Sequence, residues 1–184
     1  MKALLIFLIT VCSPLFSFCQ IAPEKNETPV SAVSQILPDN VLISSNFFSH
    51  DDAENILGKR PWLKDSLLNH SDGYTRYQFH YLSGERDSAS GLRGILFFGL
   101  EQYNETAKAQ RSFTLIKQEN EKTSHVEDLK EIGDECFLAK DAAGNPFVMA
   151  RKNNKTFKFK LNNVNNRSSL DELMTDIKKI VSRN

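Results

Sequence analysis

Four basic side chains are the candidates for chemistry in this sequence. His80 stands between two aromatic residues in a stretch of alternating polar and apolar residues, a pattern typical of a half-buried strand. Arg76 falls on the same face of that strand, because side chains alternate with a period of two. Arg151 and Lys158 belong to a basic group near the C-terminal end. We expect ligand binding to involve these four residues, and the sequence predicts no catalytic residue.

The basic group alternates with phenylalanine, as some surfaces for anionic ligands or nucleic acids do. Its members are Arg151, Lys152, Lys155, Lys158 and Lys160, interleaved with Phe157 and Phe159. Alternation places Lys158 and Lys160 on one strand face and the phenylalanines on the other. This pattern predicts that the phenylalanines belong to the core and that the lysines face solvent, and it argues against a nucleic-acid surface. The chain has 23 basic and 23 acidic residues, so it has no general attraction to nucleic acid and we expect no such partner.

Enzymatic motifs are weak in this sequence. The nearest approach to a Gly-x-Ser-x-Gly elbow is Ser88–Gly91, which lies in a polar loop. An alternative is a small periplasmic hydrolase in which His80 works with an acid such as Asp134. The four histidines stand singly, without the spacing of a metal site, and no glycine-rich loop opens a helix to hold phosphate. The sequence therefore predicts a protein that is not an enzyme and has no metal or cofactor.

The first nineteen residues have the composition of a secretory signal peptide. A positively charged start precedes an apolar run over residues 3–11, and small residues precede a cleavage site after Cys19. The run is shorter than the roughly 20 residues that span a bilayer. Lipidation of Cys19 is the alternative, which the bulky Phe18 disfavours. We expect residues 1–19 to be removed and the protein to be periplasmic or extracellular, without a transmembrane segment after cleavage.

Loss of the signal peptide leaves Cys136 as the single cysteine. The mature protein then has no internal disulfide, and its core must hold it together. Asp134 and Glu135 precede this cysteine, and neighbouring acids raise the pKa of a thiol. We expect Cys136 to be buried and unreactive.

Residues 20–40 are rich in proline and polar side chains, which predicts a flexible segment before one domain over residues 41–184. Ser49 and Asp52 predict a capped helix that ends at Gly58. Residues 73–83 and 92–103 predict a hairpin whose second strand, being continuously apolar, should be covered on both faces.

Later elements follow the same logic. Asn104 is the predicted cap of a helix that reaches about Lys122. Three short strands separated by Gly-Asn and Asn-Asn predict a meander, and Ser169 begins a final helix. The apolar stripe of that helix comprises Leu170, Leu173, Met174, Ile177, Ile180 and Val181. The fold class that follows is α+β, an antiparallel sheet of about five strands covered by helices.

Three short motifs resemble the PsbP-like α/β sandwich domain of exported bacterial lipoproteins and sensor-like proteins. They are Asp52–Gly58, Ile132–Phe137 and Val148–Asn154. Cys136 replaces a small alanine of the pattern, and Asn153 replaces a hairpin glycine. The resemblance implies a non-catalytic binding or accessory domain without a shared ligand, so no functional residue is transferred.

Together these features lead us to expect an exported monomer of the bacterial cell envelope. It would bind an unknown envelope protein or small ligand through a sheet face and the loop at residues 84–91. A structural envelope protein is the other alternative beside the hydrolase.

Overall fold

The computed structural model describes residues 34–35, 47–58, 60–88, 90–163 and 170–184. The predicted signal peptide and the cap at Ser169 lie outside these ranges. Of the segment 20–40, only Ser34–Gln35 is described, as a short strand.

The described residues form three helices and eight strands. The helices are α1 (His50–Leu57), α2 (Thr106–Glu121) and α3 (Leu170–Arg183). The strands are β1 (Ser34–Gln35), β2 (Trp62–Ser71), β3 (Tyr74–Arg86), β4 (Arg93–Tyr103), β5 (Val126–Asp128), β6 (Glu135–Lys140), β7 (Pro146–Lys152) and β8 (Lys155–Asn162).

All eight strands lie in one antiparallel sheet of order β1-β2-β3-β4-β8-β7-β6-β5. Strands β2 to β4 form one meander and β5 to β8 form another. The two meanders meet where β4 pairs with β8, with Phe98 opposite Phe159. The α+β class and the β6-β7-β8 meander are confirmed. The prediction of about five strands is wrong, since the described part of the chain contains eight.

The main core lies between one sheet face, which we call the inner face, and helices α1 and α3. Phe79, Phe98 and Phe159 point from the central strands into this layer and are buried. Helix α1 contributes Ile56 to this core, and α3 contributes Ile177, Ile180 and Val181. Helix α1 begins as predicted, because Ser49 and Asp52 form a capping box. Leu170 of the predicted stripe is exposed instead of buried.

The opposite face, which we call the outer face, is covered by α2 over only part of its width. Phe113 of α2 packs on Phe137 of β6 at a ring distance of 5.4 Å, together with Met149 of β7. Helix α2 reaches the Tyr103 end of β4, where Ser112 Oγ lies 2.8 Å from the tyrosine hydroxyl. Farther along β4, Phe97 on this face is 40% exposed. The prediction that this strand is covered on both faces is therefore wrong at Phe97.

Two local predictions also differ from the structure. Strand β2 was not predicted, because Trp62–Ser71 mixes charged, polar and apolar residues without a regular period. Helix α2 starts one residue later than expected, with Glu105 as its N-cap and no side-chain capping hydrogen bond, so Asn104 is not the cap. Among the described ranges, no helix has the length and apolar character needed to cross a membrane.

Candidate functional site

The part of the outer face that α2 leaves uncovered is the candidate functional site. We call it the open face. Strand register places the following side chains on it: Trp62, Asp65, Leu67, Arg76, Gln78, His80, Leu82, Arg93, Ile95, Phe97, Gly99, Lys158 and Lys160. They come from four adjacent strands, so the backbone that carries them is fixed by ladder hydrogen bonds on both sides of β3 and β4.

His80 is held in a defined orientation on the open face. Its Nδ1 lies 3.1 Å from Asp65 Oδ2, across the β2–β3 pair. Its ring stacks on Phe97 with centroids 4.0 Å apart and planes 21° apart. Because an ionised carboxylate only accepts, Nδ1 carries the proton and Nε2 presents a lone pair in the neutral ring. His80 Nε2 is buried and has no hydrogen-bond partner among the described residues.

Trp62 forms a second aromatic position at one end of the open face. Its indole is 45% exposed, and the Arg93 guanidinium lies over the ring, 4.4 Å from the centroid. Arg93 Nη1 also donates to the carbonyls of Ser83 and Gly84, at 2.9 Å and 2.6 Å. These bonds hold the guanidinium in place without neutralising its charge, so an exposed aromatic plane and a fixed cation stand together.

Glu101 lies on the outer face at the border of the open face and binds two of its cations. Its side chain is 3% exposed, with Arg76 Nη2 at 2.7 Å and Lys158 Nζ at 2.9 Å. The Tyr103 hydroxyl donates to it at 2.7 Å, and the Thr156 hydroxyl lies 3.3 Å away. Burial alone would raise the pKa of Glu101, but the charges of Lys158 and Arg76 and the hydrogen bonds outweigh burial and lower it. The carboxylate is therefore ionised and saturated with partners.

Gly99 lies between Gln78 and Lys158 and presents no side chain to the open face. It pairs with Gln78 on one side and Lys158 on the other. A Cβ at this position would meet only the Lys158 side chain, at 3.6 Å and beyond. The stem of Lys158 thus lies along the glycine while its ammonium group reaches Glu101. Lys160, two residues on, is exposed beside Phe97.

The structure brings three of the four predicted side chains to the open face and places the fourth elsewhere. Arg76 and Lys158 share Glu101, and His80 lies two and four residues away along the strands. Arg151 is buried and bonded to Asp134 and Glu135, at 2.8 Å and 2.5 Å. Arg151 therefore forms buried ion pairs with a structural role and is not part of the exposed basic group that the sequence suggested.

The geometry does not support a pairing of His80 with Asp134. Asp134 binds Arg151 Nη1 and the backbone N–H of Asn153. It lies just before β6, which is four positions from β3 in the sheet, a separation of roughly 19 Å at the usual spacing of about 4.8 Å between strands. The acid that orients His80 is Asp65.

Cys136 lies on the inner face and is buried, as predicted. Burial and the nearby Asp128 charge raise the pKa of its thiol to about 12. A protonated, enclosed thiol is a poor nucleophile and metal ligand.

A surface depression of about 250 Å³ lies beside α2, away from the open face. Phe113, Lys117, Gln118 and Glu135 are among its lining residues. The described residues contain no group of three or more histidine, cysteine, aspartate or glutamate side chains that could hold a metal ion.

Sequence reasoning missed Trp62, Asp65, Phe97 and Glu101. Trp62 and Asp65 lie on the unpredicted strand β2. Phe97 and Glu101 were read as parts of a strand buried on both sides. The signal for Glu101 was an acid directly after an apolar run within a predicted buried strand, since a buried carboxylate needs cationic partners.

Comparisons with protein families, with curated proteins and with solved structures gave no match for this chain.

Proposed function

We propose that this protein is an exported, non-catalytic binding domain of the bacterial cell envelope that contacts a protein partner through the open face. The observation that carries the proposal is the exposure of Trp62 and Phe97 on a rigid sheet surface, beside cations that are already fixed. Tryptophan and arginine dominate the energetics of protein interfaces, because large rigid side chains bury much area at low entropic cost.

The shape of the surface favours a protein over a small ligand. Small molecules bind in concave sites that enclose most of their surface. The open face is carried by four adjacent strands, and none of its residues lines the 250 Å³ depression beside α2. A broad surface that combines exposed aromatic side chains with fixed charges suits a macromolecular contact.

The His80–Asp65 pair also fits a binding role. A hydrolase would hold a hydroxyl or thiol against the free imidazole nitrogen. In the described part of the chain, His80 Nε2 has no such partner and lies buried beside the Phe97 ring. The pair fixes the ring orientation instead.

Export, the monomeric state and the PsbP-like assignment belong to the same proposal. The signal-like composition of residues 1–19 supports export. An antiparallel sheet with helices on both faces is compatible with a PsbP-like sandwich, and the three motifs behind the resemblance fall on α1, the turn before β6 and the β7–β8 hairpin.

Site-specific photocross-linking tests this function. A benzophenone-bearing phenylalanine analogue would replace Phe97 in the full chain, expressed in the source bacterium. The control places the same analogue at Leu115, which is 49% exposed on α2. We expect a discrete adduct from position 97 that Trp62→Ala weakens, and none from position 115. Equal adducts from both positions, or no adduct from position 97, would count against the open face.

A further inference from the structure

We infer that the partner presents an extended acidic peptide to the open face, with an apolar side chain followed by carboxylates two and four residues along. This inference rests on the proposed function and adds the chemistry of the partner.

The strand register divides the open face into three rows. The first row is Asp65, His80, Phe97 and Lys160, and the second is Gln78, Gly99 and Lys158. In the third row only Arg76 is accessible, because Glu101 and Thr156 beside it are buried. Successive rows are two residues apart along each strand, or roughly 7 Å at about 3.3 Å per residue. An extended peptide lying along the strands has the same repeat, so its alternate side chains face successive rows.

The first row accepts an apolar side chain. Phe97 is 40% exposed and stacks on the His80 imidazole. The stacked His80 ring holds the Phe97 ring in a fixed orientation, so an apolar side chain of the peptide would pack on a defined surface.

The second and third rows accept carboxylates. Arg76 and Lys158 share the single acid Glu101, so this group keeps one positive charge in excess. Lys160, at the end of the first row, adds an exposed positive charge next to these two rows. It forms no ion pair among the described residues and interacts with Asp141 only through its charge. With Asp65 counted, four cations (Arg76, Arg93, Lys158 and Lys160) stand against the two acids Asp65 and Glu101. This positive excess is local, because the whole chain has a formal net charge of zero. Complementary charge across an interface selects an acidic partner and orients it.

Trp62 provides the readout, since it is the single tryptophan of the chain and lies on the open face. The probes are synthetic peptides with a Phe-Ser-Glu-Ser-Glu core, the same core with both glutamates replaced by glutamine, and the same core with phenylalanine replaced by alanine. Each is titrated against the full mature chain while Trp62 emission is followed.

We expect the Phe-Ser-Glu-Ser-Glu peptide to bind roughly tenfold more tightly than either altered peptide, a difference of about 1.4 kcal/mol. Lys160→Glu should weaken this binding by a similar factor. Lys179→Glu, at an exposed position of α3, should leave binding of the peptide unchanged. Lys160 and Lys179 are the informative pair, because replacing Arg76 or Lys158 would leave Glu101 short of partners and disturb the fold.

Other outcomes overturn the inference in separate ways. Equal binding of the glutamate and glutamine peptides would show a contact surface that does not select acids, and the proposed function would stand. Dextran sulfate binding as tightly as the acidic peptide, with no dependence on phenylalanine, would show a response to charge alone. If no peptide binds, the inference fails, and the cross-link at position 97 decides the proposed function independently.

Discussion

Gly133 has no side chain because the backbone of β7 occupies the space. Its φ is +65°, and a Cβ there would lie 2.3 Å from the Arg151 carbonyl oxygen. The neighbouring N–H of Asp134 donates to that same oxygen at 2.7 Å. The turn before β6 is therefore pressed directly against β7, where Arg151 also binds the two acids that follow the glycine.

Gly133→Ala should lower the free energy of unfolding by about 3 kcal/mol or more, because it combines a left-handed φ with a backbone clash. Gly91→Ala is the matched control, with a φ of +68° and nothing within 4 Å of the added Cβ. It should cost only about 1 kcal/mol. Urea denaturation of both variants measures the difference. Equal losses would show that the contact with Arg151 does not matter.

Cys136 should be unreactive toward a thiol reagent such as 5,5′-dithiobis(2-nitrobenzoic acid) at neutral pH. Burial and the Asp128 charge raise its pKa to about 12, so almost none of it is thiolate. We expect labelling only after denaturant unfolds the chain, at a rate set by unfolding. Labelling of the folded protein within seconds would contradict the burial of this residue.

At the scale of single residues, the sequence predicted positions better than partners. Alternation placed Phe157 and Phe159 in the core and Lys158 and Lys160 on the other face, and the structure agrees. The partner of His80 could not be predicted. Asp65 is near in sequence, but which residue lies opposite a histidine depends on the register of a strand that the sequence did not predict.

At the scale of elements, the end of α3 is tied to the start of α1. Arg183 donates to both carboxylate oxygens of Asp52, through Nη1 at 2.9 Å and through Nη2. Ser49 donates to the same carboxylate from its backbone N–H at 2.6 Å and from its hydroxyl at 2.8 Å. Burial by itself would raise the pKa of Asp52, but the bonds from Arg183 and Ser49 outweigh it and hold the pKa below its usual value.

Arg183→Ala should lower the free energy of unfolding by about 1 kcal/mol, since the partly exposed guanidinium is screened by water. Asp52→Ala should cost more, about 2 kcal/mol, because it also removes the capping box of α1. Lys179→Ala, which removes only a surface pair with Asp176, should stay within about 0.5 kcal/mol of the parent. Thermal or urea unfolding measures all three. A loss for Lys179→Ala equal to that for Arg183→Ala would remove the special role of the α1–α3 link.

Elements with strong local signals were predictable, and elements fixed by tertiary contacts were not. The capping box of α1 is written in four consecutive residues, so its start was found. Helix α2 has no side-chain cap, and its position depends on Phe113 meeting Phe137 across the sheet. Strand β2 is held by pairing with β3 along almost its whole length rather than by its own pattern.

At the scale of the whole molecule, Glu101 joins β3, β4, β8 and α2. Arg76 and Lys158 reach it from two strands, and the Tyr103 hydroxyl links it to Ser112 of α2, 2.8 Å away. Burial and the Glu101 charge raise the pKa of Tyr103, so its hydroxyl stays protonated and keeps donating. The carboxylate supports this network only while it is ionised.

Acid should destabilise the protein through this carboxylate. The pKa of Glu101 is below the ordinary value of 4.5, so on acidification the unfolded chain takes up a proton first. The stability that Glu101 contributes is thus complete above pH 4.5 and is lost as the pH falls toward its folded pKa. Urea unfolding between pH 7 and pH 3 should show this decline.

Glu101→Gln should be less stable at neutral pH by about 3 kcal/mol, because it leaves Arg76 and Lys158 without their acid. It should also flatten the decline below pH 4.5. If Glu101→Gln does not fold, Tyr103→Phe is the substitute variant, because it removes only one hydrogen bond to Glu101, at a cost of about 1 kcal/mol. An unchanged acid profile in Glu101→Gln would assign the acid sensitivity to other carboxyl groups.

The sheet order could not be predicted from the sequence, although the two meanders could be sketched. Each meander is built from neighbours in sequence, joined by tight turns such as that at Asn153, whose φ is +54°. The pairing of β4 with β8 brings together segments on either side of α2, and no local pattern specifies it.

The pairing of β4 with β8 also has a consequence for how the chain folds. The two meanders can each form from local contacts, but the strands at their junction must close a long loop before they gain any contact with each other. We expect this junction to form late and to limit the folding rate. Substitutions at Phe98 or Phe159 would then slow folding only if the junction is present in the transition state, and would otherwise speed unfolding.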